Sequence, residues 1–148
     1  MGYALFANRK LVLDSQLNSL QTQQQQRSVE QYKLATQNTS LQQQVSSLSA
    51  AQSSELADMY EDLSGANDSD QRASINAAIQ AKQEDFNAEL DDINRQIYLV
   101  SMKENAIEME VKHLDTEVTA VQKQLEAVEQ AEGAGIDRAT PHFTGLNG

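Results

Sequence analysis

The chain has 148 residues, a formal net charge of −11, no Trp, no Cys, a single Pro at Pro141, and only 5% aromatic residues. That composition does not build a sandwich or an α/β core, and the absence of cysteine excludes a disulfide framework and any thiolate-held metal. The acidic excess disfavours nucleic acid and anionic membrane as partners.

The charge is unevenly spread. Residues 1–50 carry Arg9, Lys10, Arg27 and Lys33 against Asp14 and Glu30, whereas residues 51–132 hold six Lys/Arg against nineteen Asp/Glu. Two helices made from these halves would attract each other.

The first predicted helix runs over about residues 4–64. Its inward positions step by fours and threes through Phe6, Lys10, Leu13, Leu17, Leu20, Gln24, Arg27, Gln31, Leu34, Asn38, Leu41, Val45, Leu48, Gln52, Leu56, Met59 and Leu63. This is a heptad stripe with one double four at Leu48, Gln52 and Leu56, a stutter that locally relaxes a left-handed supercoil.

The turn falls in Gly65-Ala-Asn-Asp-Ser-Asp70. Gly65 is expected to end the first helix with a positive φ, and Asp68 with Gln71 to form the N-cap and N3 pair of the second. Asn67-Asp-Ser-Asp70 lacks the glycine and the distal Glu of a calcium loop, so it reads as turn chemistry.

The second helix is predicted over about 71–132. After Ile75 and Ile79, its stripe continues through Lys82, Phe86, Leu90, Ile93, Ile97, Val100, Glu104, Ile107, Val111, Leu114, Val118, Val121, Leu125 and Val128. If the chain folds back on itself, facing residues have numbers with a constant sum. A sum of 138 pairs Leu63 with Ile75, Leu48 with Leu90, Leu41 with Ile97, Leu20 with Val118, Leu17 with Val121 and Leu13 with Leu125. The same register sets Gln52 against Phe86 and Leu56 against Lys82, so the two stutters lie opposite each other. Periodicity stops at Gly133-Ala-Gly135, and residues 133–148 are expected to form a short non-helical tail. The fold class is therefore all-α: one domain, a long antiparallel two-helix coiled-coil hairpin with arms on the order of 90 Å.

One stretch of the seam is unequal. Gln24, Arg27, Gln31, Leu34 and Asn38 face Leu114, Val111, Ile107, Glu104 and Val100, which predicts a poorly covered apolar stripe on the second helix. Further apolar residues lie off the seam: Val29 and Tyr32 on the first helix, and Tyr98, Met102, Ala106 and Met109 on the second. Antiparallel pairing also gathers Tyr3, Leu5 and Phe6 with Ile136, Phe143 and Leu146 at one pole, where they either cap the hairpin or dock onto another subunit. Helices apolar on two faces call for more than one neighbour.

Chemistry is sparse. His113 and His142 belong to no metal-ligand pattern, the acidic pairs along the second helix point in different directions, and no nucleophile, cofactor or nucleotide-binding motif is present. We expect a protein that is not an enzyme and holds no cofactor. The start of the chain lacks the pattern of a secretory leader and no segment approaches a membrane span, so the expected location is the cytoplasm, or the exterior by a route independent of a signal peptide.

A Gln/Ser/Asn-rich first helix, a heptad-bearing second helix and apolar ends at one pole resemble the helical-hairpin subunits of bacterial filaments, namely type III secretion needles and filaments and the terminal coiled coils of flagellin. The resemblance implies a structural, self-assembling subunit. The other class open at this point is a coiled-coil adaptor or chaperone-like module whose stripe between Val100 and Leu114 takes a partner's amphipathic helix.

Overall fold

The computed structural model describes the backbone of residues 2–147 and the side chains of residues 4–134. Two helices, α1 (Gly2–Gly65) and α2 (Ser69–Asn147), pack against each other as an antiparallel hairpin, and no strand occurs among the described residues. Contacts divide the chain into two units. One joins residues 1–31 to residues 106–148 and the other comprises residues 32–105, including the turn.

In α1 every seam position from Phe6 to Leu63 is buried or half-buried, and Glu30 is the one further residue of its described part that is not exposed. Glu30 is drawn in by Arg27, whose Nη1 donates to both carboxylate oxygens at 2.8 and 2.9 Å. This regularity has a plain cause. Gln and Ala share the outer positions with Ser, Thr and Asn, which are weaker helix formers, and Pro is absent from α1, so packing of the stripe supplies most of the helix's stability.

The first unit contains the densest apolar packing. Leu13, Val121, Leu125 and Val128 form a buried cluster against which Phe6, Leu17 and Leu20 are packed. Its cross-helix polar pairs, Lys10 with Glu129, Gln24 with Asp115 and Arg27 with Glu110, have numbers that add to 139, 139 and 137. They therefore flank the register expected from the heptads.

In the second unit Leu41, Ile79, Phe86 and Val100 are buried, and the hairpin closes at the turn on Ala66, only 2% exposed. The turn departs from expectation in two ways. Only residues 66–68 are non-helical, and Gly65 ends α1 without a positive φ. The chain instead tightens through a bond from the Ala66 N–H to the Leu63 carbonyl at 3.2 Å, and Arg72 Nε donates to the Ala66 carbonyl at 2.9 Å. A guanidinium on an otherwise orphaned carbonyl does the work of a left-handed glycine. Asp68 does cap α2: its Oδ1 accepts from the Asp70 N–H at 3.2 Å, and its carbonyl accepts the first helical bond, from Arg72 N–H at 3.0 Å.

Two further differences concern α2. Lys82, expected in the seam opposite Leu56, is exposed, and Gln83 takes the half-buried position. At a stutter the seam passes between neighbouring residues, and a lysine is too costly to desolvate. Its Nζ reaches Glu55 at 3.2 Å and lies 5.9 Å from the centroid of the Phe86 ring. The other difference lies beyond Gly133, where α2 continues to Asn147 instead of giving way to a non-helical tail. Gly133 has no positive φ, so the backbone passes that position in helical conformation.

Candidate self-association surface

The polar stretch of the seam is the first place where an uncovered apolar surface was expected. It is covered at its ends and only half-covered between them: Leu114 is 7% exposed although its register partner is Gln24 and Val100 is 3% exposed although its partner is Asn38, while Ile107 and Val111 are half-buried. In the first unit the Gln24 amide donates to Asp115 Oδ1 at 2.7 Å and Arg27 Nε forms an ion pair with Glu110 Oε2 at 2.7 Å. In the second, the Asn38 amide donates to Glu104 Oε1 at 3.4 Å.

Each of these half-buried side chains brings its polar end to an acidic partner on α2, which leaves its carbons free to shelter the neighbouring stripe. No buried side-chain nitrogen or oxygen lacks a partner among the described residues. The expected uncovered stripe is thus closed at Val100 and Leu114 and stays half-open at Ile107 and Val111.

Apolar surface remains on the outer faces. In the first unit Leu5, Leu11, Val12, Val29 and Met109 are exposed, Met109 to 72%; in the second, Tyr32, Tyr60, Tyr98, Leu99 and Met102 are exposed, Tyr32 to 75%. Of the residues expected to serve association, Val29, Tyr32, Tyr98, Met102, Met109 and Leu5 stand free, while Phe6 packs on the cluster around Leu13. Tyr3, Ile136, Phe143 and Leu146 lie outside the residues whose side chains are described. Reading the sequence for periodicity passed over Leu11, Val12, Tyr60 and Leu99. Their signal was available as apolar residues adjacent to, rather than on, the stripe.

The concavities are open surface grooves. One of about 410 Å³ is lined by Gln16, Ser19, Leu20, Glu117, Ala120 and Val121, and one of about 390 Å³ by Tyr32, Ala35, Thr36, Thr39, Ser40 and Gln43. Neither gathers convergent ionisable groups of the kind that tune proton chemistry. Among the described residues no cluster of three or more His, Cys, Asp or Glu could hold a metal ion, and no helix is long and apolar enough to cross a membrane. His113 is exposed and faces Glu117 at 2.7 Å, one turn along the same helix. No protein-family model matches the chain, and no curated protein or solved structure matches it.

Proposed function

We propose that this chain is a structural subunit that assembles with copies of itself into a filament or helical bundle, through apolar side chains on the outer faces of its helices. One observation carries the reading. The seam already buries its own stripe, yet large apolar residues are exposed in groups: Leu5, Leu11 and Val12 in the first unit, and Tyr98, Leu99 and Met102 in the second. Single exposed apolar residues are ordinary, but grouped ones on a helix that is already paired call for a further neighbour.

Light scattering on the purified chain, with negative-stain microscopy of the same sample, tests the reading. The expected result is mass well above 16.4 kDa that grows with concentration, and particles with a regular repeat. Tyr98→Glu and Met109→Glu, made separately, should each reduce the assembled fraction at least tenfold while leaving the helical circular dichroism unchanged. A monodisperse 16.4 kDa species at every concentration overturns the proposal.

A further inference from the structure

We infer that the patch of Arg95, Tyr98, Leu99, Met102 and Lys103 on α2 of one copy docks on the acidic face of α1 around Asp58 in a second copy. The inference rests on the self-assembly reading and names the two surfaces that meet.

The patch interrupts an acidic helix. Residues 93–103 contain no Asp or Glu, in a chain whose net charge is −11. Helical spacing sets Arg95, Leu99 and Lys103 in one row, four residues apart, with Tyr98 and Met102 in the row beside it. All five are exposed, while Ile97 and Val100 between them turn into the seam. The run Ile97-Tyr-Leu-Val100 is therefore apolar on more than the paired side, as in a helix with neighbours on several sides. Lys103 forms no ion pair among the described residues, and Arg95 has only a loose one with Asp92, 3.7 Å apart with both side chains exposed. Apolar side chains bracketed by two available cations fit a surface that offers small residues and unpaired carboxylates.

The chain carries that surface itself. Residues 55–92 hold eleven Asp/Glu against Arg72 and Lys82, and both bases are engaged, Arg72 with the Ala66 carbonyl and Lys82 with Glu55. On α1, Asp58, Glu61 and Asp62 are exposed and form no ion pair among the described residues. Small side chains share their rows, Ser54 with Asp58 and Ala57 with Glu61, and Tyr60 stands exposed beside them.

A second copy is the occupant because one hairpin cannot bring its own two surfaces together. In the heptad register Leu99 lies level with Thr39, eighteen residues along α1 from Ala57, or about 27 Å of continuous helix. A copy displaced along the axis by that distance sets the cationic patch against the acidic stretch. The contact joins two different surfaces, so each copy uses both and the series stays open-ended. Nine residues of helix present a face about 13 Å long and roughly 10 Å wide, far below the ~800 Å² per partner of a stable interface. A single contact is accordingly weak, and growth draws on the other exposed apolar groups as well.

The native chain has no cysteine, so single-cysteine variants report proximity without background. Met102→Cys mixed with Ala57→Cys should form a disulfide-linked dimer under mild oxidation at least tenfold faster than either variant alone. Reversing the patch with Arg95→Glu and Lys103→Glu, or the acidic face with Asp58→Lys and Glu61→Lys, should each reduce the assembled fraction at least tenfold with helicity unchanged. Mixing those two charge variants should restore assembly. A wild-type chain that stays monomeric removes the self-assembly reading and this contact together. A chain that assembles, but whose mixed cysteine variants crosslink no faster than each alone, overturns the contact and leaves that reading standing, as does a failure of the mixed charge variants to assemble.

Discussion

Two stretches of the first unit bury the same kind of α2 stripe by different means. Around Leu13, apolar side chains of α1 meet Val121, Leu125 and Val128 directly. Around Arg27, half-buried polar side chains stand opposite Ile107, Val111 and Leu114 in the register and carry their polar ends to Glu110 and Asp115. Helix and register are common to both, and Leu114 is nevertheless as well buried as Val121. What differs is the source of the stability. In the first stretch it comes from apolar atoms on both helices; in the second, apolar atoms on α2 are sheltered by groups that also have to be kept hydrated or paired.

The largest effect should come from the apolar stretch. Leu13→Ala removes a side chain buried in that cluster and should cost about 2–4 kcal/mol, read as a lowered midpoint in urea at fixed protein concentration. A loss under about 1 kcal/mol would mean that the cluster is not the anchor of this unit. In the polar stretch, Arg27→Ala takes away a half-buried side chain and leaves Glu30 and Glu110 unpaired, for a cost of about 1–2 kcal/mol.

Arg27→Leu sharpens the contrast. It keeps a covering group and forgoes the partly exposed ion pairs to Glu30 and Glu110, each worth at most about 1 kcal/mol, so it should cost less than Arg27→Ala. If Arg27→Leu falls as far as Arg27→Ala, the ion pair and not the stem holds this stretch, and the distinction between the two means of burial collapses.

The heptad stripe could be read residue by residue because burial on a helix obeys a single period, and in α1 the half-buried set follows that period through polar and apolar positions alike. Three features did not follow from periodicity. The fate of the polar stretch depended on where stems lie, and the letter Arg or Gln does not separate its apolar carbons from its charged or amide end. The turn depended on Arg72 reaching back to Ala66, a contact across six residues that no cap pattern encodes. Lys82 was displaced by its neighbour Gln83 because a stutter leaves two adjacent residues nearly equivalent, and desolvation then chooses between them. The candidate surface was partly legible: Tyr32, Tyr98 and Met109 stood out as off-seam apolar residues, whereas Leu11, Val12, Tyr60 and Leu99 sit beside the stripe and carry no period of their own.

The smallest effect separates the two stretches most cleanly. Lys10 lies at the rim of the apolar cluster, 3.6 Å from Glu129, with both side chains substantially exposed. A double-mutant cycle on this pair should give a coupling of about 0.2–1 kcal/mol that disappears in 1 M salt, where the screening length is about 3 Å. The corresponding cycle on Arg27 and Glu110, at 2.7 Å, should give a larger coupling that salt reduces but does not abolish, because Arg27 is only half exposed and its charge is less screened. Equal couplings with equal salt dependence would show that both pairs are surface decoration. The shelter over Ile107 and Val111 would then have to come from Gln24 and Gln31, and Gln31→Ala would become the substitution that exposes the stripe.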